Sequence, residues 1–113
     1  MVVVISAIVK PHRLDAVREA LVGAGVTGMT VTEVKGFGRQ GGHTEVYRGA
    51  EYRIDLVPKL RVDVLTDADE VDHVVEAVCK AAQTGSIGDG KIWVIRAERT
   101  LRIRTGEADV DAL

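Results

Sequence analysis

The amino-acid sequence predicts an α+β fold with the element order βαββαβ, and three observations carry that reading. Two stretches repeat apolar residues at helical spacing along a single stripe. Four others have strand length and are either β-branched runs or alternate between apolar and charged residues. Between the second and third strands lies a long glycine-bearing stretch with neither period.

Val2 to Val9 is a β-branched apolar run ending at Lys10-Pro11, and proline is tolerated at the first position of a helix. The helix that follows sets Leu14, Val17, Leu21 and Ala24 on one stripe, with Arg13, Asp15, Arg18 and Glu19 elsewhere, and Gly23 and Gly25 end it. Met29 to Phe37, with Thr30, Val31, Thr32 and Val34, suits a pleated half-buried surface and reads as the second strand. Gly36 to Asp55 holds five glycines, two tyrosines and several charges, and reads as a long loop or extended arm. Leu60, Val62 and Val64 alternate with Arg61 and Asp63, the pattern of a third strand with one wet face. Thr66-x-x-Asp69 fits a capping box, and Val71, Val74, Val75, Val78 and Ala82 trace a helical face that breaks at Gly85. Ile92 to Ile95, with Trp93, is a short apolar strand, and Leu101 and Ile103 alternate with Arg102 and Arg104 in one more extended piece. This order is the split βαβ of ferredoxin-like domains, an antiparallel four-stranded sheet with both helices on one face. The other face would expose apolar residues, so oligomerisation is expected.

The chain has 113 residues, the size of one domain, and is read as a single domain over 1–113. At 46% hydrophobic and 28% charged it fits a globular protein rather than a disordered or collagen-like one. With 15 basic and 17 acidic residues it has no overall pull toward nucleic acid or anionic membranes, so any anion site must be local. Cys79 is the only cysteine, which excludes an internal disulfide and suggests a reducing compartment. The apolar run at Val2–Val9 is too short to span a bilayer and has no basic leader, so a cytoplasmic location is expected.

The sharpest local motif is Thr84-Gly85-Ser86-Ile87-Gly88-Asp89-Gly90-Lys91, where glycines admit a ligand close to the backbone and lysine supplies charge. It leaves a helix and enters a strand, so it is not a Walker loop, and an ordinary glycine-rich turn is the competing reading. If the last segment is extended, Arg102 and Arg104 point the same way and suit a polyphosphate, unless Glu98, Glu107 or Asp109 neutralise them. Arg39 adds a further charge in the glycine-bearing stretch. His12, His43 and His73 are scattered and read as surface residues, Cys79 as an inert buried thiol, and nothing sets Glu45, Glu51 and Asp55 at an acid–base separation. No enzyme active site is read. A sheet that stacks nucleobases is disfavoured as well, since the only aromatics are Phe37, Tyr47, Tyr52 and Trp93.

Several segments together resemble the PII nitrogen-regulatory signal-transduction family: Val31-Thr32-Glu33-Val34-Lys35-Gly36-Phe37-Gly38-Arg39-Gln40, Gly42-His43-Thr44-Glu45, Tyr47-Arg48-Gly49-Ala50-Glu51-Tyr52, the glycine motif, and Arg102-Ile103-Arg104-Thr105-Gly106-Glu107. The similarity runs over essentially the whole chain. It implies a homotrimer that binds ATP or ADP between neighbouring subunits and regulates nitrogen-assimilation targets through a protruding loop at about 38–55. The phosphate-binding loop would span about 83–91 and a C-terminal loop about 102–109. By matching position, Arg39, Gly88, Gly90, Lys91, Arg102 and Arg104 would contact nucleotide phosphates, with Ile8 and Thr30 near the base and ribose. Gln40 would help coordinate Mg2+ between ATP and 2-oxoglutarate, Lys59 would pair with a 2-oxoglutarate carboxylate, and Gly88 would donate a backbone N–H. Tyr52 matches a tyrosine that receives a nucleotidyl group. Implied partners are an ammonium transporter, a nucleotidyltransferase and nitrogen-metabolism enzymes, with the membrane reached only through the transporter. Gly41 and Ser86 stand where relatives often carry lysine.

Overall fold

The computed structural model describes residues 1–38, 43–47, 50–54 and 56–113, the two short internal stretches as paired backbone. Strand β1 (Val2–Val9) runs to the turn at Pro11–Arg13, and helix α1 (Leu14–Gly23) follows. Next come β2 (Thr30–Gly36), the hairpin strands β3 (His43–Tyr47) and β4 (Ala50–Ile54), and the long strand β5 (Val57–Asp67). Helix α2 (Val71–Ala82) and strand β6 (Ile92–Arg96) complete the order. The main sheet is ordered β2-β5-β1-β6 with every pair antiparallel, which is the ferredoxin-like arrangement expected.

The apolar stripes meet as their spacing requires. Val17 and Leu21 of α1 and Val74, Val78 and Ala82 of α2 share one buried cluster with Val3, Ile5, Ala7 and Val9 of β1 and Val62 and Val64 of β5. β1 is central in the sheet, so nearly all of its residues are buried and it reads as a continuous run rather than an alternation. On the opposite face Ser6 stands in register with both Asp63 and Trp93, and Val4 with Leu65 and Ile95. Leu65 is 46% exposed and Ile95 is 58% exposed there, the open face anticipated from the topology.

Four local expectations are corrected. The stretch 36–55, read as a loop or arm without period, contains the β3–β4 hairpin, with Glu45 opposite Tyr52. These two strands pair with each other as a two-stranded sheet of their own. The cap ahead of the second helix belongs to the 3-10 turn Ala68–Glu70, where the Asp67 carboxylate accepts from the Asp69 N–H at 3.1 Å; α2 itself starts at Val71 without a side-chain cap, and Thr66 is instead buried in β5. Cys79 is exposed rather than buried, because it lies about 100° round the helix from the Val74–Val78–Ala82 stripe. Lastly, Leu101–Arg104 is no strand: Leu101 makes an isolated bridge to Ala108 and the chain turns between them. Its backbone pairs with no strand of the main sheet, whose outer strands are β2 and β6.

Candidate functional site

The loop from Thr84 to Lys91 closes on the end of β1. Gly85, Gly88 and Gly90 take φ of +84°, +95° and +92°, a region that residues with a Cβ avoid. Gly90 is the tightest point, because a Cβ there would lie 1.7 Å from the Ile8 carbonyl oxygen. The same approach lets the Ile8 N–H donate to the Lys91 carbonyl at 2.9 Å. Inside the loop, the Asp89 carboxylate accepts from the Thr84 and Gly85 N–H groups at 2.9 Å each and from the Thr84 hydroxyl, and it meets Lys10 Nζ at 3.1 Å. These donors hold its pKa well below the usual carboxylate range, the Thr84 hydroxyl contributing most. Its hold on the loop is therefore complete above the ordinary carboxylate pKa of 3.8 and fades as pH falls toward the depressed value.

Lys59 of β5 is only 8% exposed, and its ammonium donates to the Gly88 carbonyl at 2.6 Å. Burial lowers its pKa, as does the positive charge of Lys10, against an opposing effect of Asp89. Lys59 opens onto a cleft of about 670 Å3 lined by Ile8, Lys35, Phe37, Ser86, Gly88 and Lys91 among others. Lys35, Lys59 and Lys91 thus face one cavity in which, among the described residues, the single lining carboxylate, Asp89, is already engaged by donors of its own loop. Such a cavity suits a small, multiply charged anion.

Of the residues singled out in the sequence, Ile8, Lys59, Gly88, Gly90 and Lys91 converge on this cleft. Thr30 lies on β2 opposite Asp63, and Arg102 and Arg104 lie in the C-terminal turn, all three outside the cleft lining. The side-by-side guanidinium pair is not formed within this chain. Arg102 instead donates to the Ala112 carbonyl at 3.3 Å and to the Leu113 carbonyl, and approaches Glu107 at 3.6 Å. An extended segment is what would have aligned the two side chains. Arg39 and Gln40 lie outside the described residues, as do the side chains of Tyr52 and His43, whereas His12 and His73 are exposed as expected. Sequence reasoning missed Lys35, Phe37 and Lys10 as part of this region. Phe37 is 78% exposed at the cleft, an exposure that only the structure shows.

Among the described residues no group of His, Cys, Asp and Glu could hold a metal ion, and no helix is long and apolar enough to cross a membrane.

Comparison with known proteins matches residues 2–107 to the profile of the family Nitrogen regulatory protein P-II. The chain is 59% identical over 109 residues to Nitrogen regulatory protein P-II 1 of Escherichia coli (strain K12), covering 96% of this chain and 97% of that one. It is 58% identical over 109 residues to Nitrogen regulatory protein P-II of Pasteurella multocida (strain Pm70), again covering 96% and 97%. The protein of that name in Klebsiella oxytoca is 59% identical over the same coverage. With a matched fold, a glycine loop closed on β1 and near-complete coverage of these relatives, the chain belongs to the P-II family of nitrogen regulatory signalling proteins.

Proposed function

We propose that the protein is a cytoplasmic, non-catalytic sensor that binds ATP or ADP and, with Mg2+ and ATP, 2-oxoglutarate. It passes the result to protein targets such as an ammonium transporter, a nucleotidyltransferase or nitrogen-metabolism enzymes. The observation that carries this reading is the cleft in which the glycine loop, Lys91 and the buried Lys59 converge. Its chemistry fits phosphates and a dicarboxylate: glycine backbone brings N–H groups close to an anion, and two or more ammonium groups neutralise it. Lys91, Gly88 and Gly90 would hold phosphates, Ile8 and Thr30 would sit near the base and ribose, and Arg39, Arg102 and Arg104 would add charge. Lys59 and Gly88 would hold the keto acid, and Gln40 would complete the Mg2+ shell. The magnesium, when bound, draws the triphosphate and the keto acid into one coordination sphere.

Lys91→Ala is expected to weaken ATP and ADP binding by roughly 1.5–3 kcal/mol, the worth of a charge-assisted hydrogen bond. Calorimetry that gives unchanged affinity would place the nucleotide elsewhere.

The exposed Leu65 and Ile95 on the helix-free sheet face support a homotrimer, which would cover them and bring Arg102 and Arg104 of one subunit to the cleft of another. Sedimentation should give three times the subunit mass at micromolar concentration, and a stable monomer would end this reading.

Tyr52, on β4 of the hairpin, is proposed as the nucleotidylylated residue. A bulky anionic group on the hairpin would oppose docking of a partner by sterics and by the cost of desolvating charge. Intact-mass measurement should detect the increment in nitrogen-starved cells and lose it in Tyr52→Phe. Its persistence in the variant would remove Tyr52 from this role.

A further inference from the structure

The contacts around Asp89 have a consequence for Lys59 that depends on one peptide bond. The carbonyl that receives the Lys59 ammonium belongs to Gly88, and the N–H of the same planar unit belongs to Asp89. Gly88 and Gly90 flank Asp89 at φ of +95° and +92°, and glycine dihedrals are soft, so the backbone alone does not fix the direction of that plane. What fixes it is the Asp89 side chain. Its carboxylate is tied to the Thr84 and Gly85 N–H groups, to the Thr84 hydroxyl and to Lys10. Lys10 is anchored in turn: it directly follows β1, precedes Pro11, and also donates to the Thr84 hydroxyl oxygen at 3.0 Å. The Lys10 and Asp89 side chains are 18% and 24% exposed, so their ion pair is partly shielded from solvent screening.

We propose that Lys10, Thr84 and Asp89 form a positioning triad that locks the Gly88–Asp89 peptide with its carbonyl on Lys59, and so sets where the Lys59 ammonium stands in the anion cleft. The triad's own groups are engaged with one another rather than offered to the cleft. It acts through Lys59, and its value for binding rests on the reading that Lys59 receives a carboxylate. The charges support the assignment: Lys35 and Lys91 line the cleft with Lys59, while Lys10 lies behind the loop and is neutralised by Asp89. Without that neutralisation a further cation would act on a lysine already buried to 8% exposure.

The test uses the full chain with lysine labelled with 15N at Nζ and 13C at Cε and glycine labelled with 13C at its carbonyl, read by NMR. In the parent, Lys59 is expected to give a resolved ammonium resonance, protected from exchange, with coupling across its hydrogen bond to the Gly88 carbonyl. Asp89→Asn and Thr84→Val should lose that coupling, and Thr84→Ser, which keeps the hydroxyl, should retain it. A role confined to general loop stability would not make Val and Ser differ in this way at matched folding, and this pair carries the test even if Asp89→Asn does not fold. Affinity for 2-oxoglutarate with Mg-ATP should fall about tenfold in Thr84→Val and stay near the parent value in Thr84→Ser. A parent that binds no 2-oxoglutarate, yet loses the Lys59 coupling in Thr84→Val alone, would reject the keto-acid reading and support the triad. An unchanged Lys59 resonance and coupling in Thr84→Val would overturn the triad, whatever the ligand does.

Discussion

Gly90→Ala is expected to destabilise the fold by about 4 kcal/mol, from two additive sources. A residue with a Cβ at φ +92° costs about 1–3 kcal/mol in strain, and the added carbon would stand 1.7 Å from the Ile8 carbonyl oxygen. Neither side can yield cheaply, because Ile8 is held in β1 by its ladder to β5 and donates its N–H to Lys91. Gly85→Ala separates the two sources. Its φ is +84°, but nothing lies within 4 Å of the added Cβ, so only the conformational cost of about 1–3 kcal/mol remains. Urea unfolding of both variants measures the difference. Equal midpoints would mean that the loop does not approach β1 as described.

The second large effect concerns Lys59, whose replacement by methionine keeps the side-chain volume and removes the charge. Under the proposed function, 2-oxoglutarate affinity should fall about 100-fold, near the upper range for a hydrogen bond to a charged group. Stability should move the other way or stay level. Burial already depresses the Lys59 pKa, which means the fold disfavours its charge, and an apolar chain at 8% exposure removes that penalty. The lost bond to the Gly88 carbonyl offsets part of the gain, since a carbonyl left without its donor costs about 1–3 kcal/mol when buried. Calorimetry and urea unfolding on the same preparation check both halves. Unchanged keto-acid affinity would put the carboxylate elsewhere, and a large loss of stability would make Lys59 a structural residue.

How much of this was written in the chain follows from what each residue's environment depends on. Helix α1 could be read from Leu14, Val17 and Leu21, because a buried stripe imposes its period wherever a helix packs on a sheet. Strand β5 could be read from Val62 and Val64 for the same reason, with the sheet's period in place of the helix's. The hairpin could not: the run from Glu45 to Tyr52 mixes charged, aromatic and glycine residues without either period, so its pairing of β3 with β4 came from the structure.

At the site, Gly88, Gly90, Lys91 and Lys59 were legible, the glycines as places where backbone must come close and all four through resemblance to a family. Motif and family are properties of order along the chain, and order alone determined them. Tertiary structure decided the rest. Lys10 reaches Thr84 across 74 positions and Lys59 reaches Gly88 across 29, contacts that exist because β1 lies between β5 and β6 in the sheet, so the loop before β6 meets both neighbours. The C-terminal segment turned rather than extended, and Arg102 found the carbonyls of Ala112 and Leu113. A side chain's partner is set by which backbone segments the core brings together, and local spacing carries no record of that.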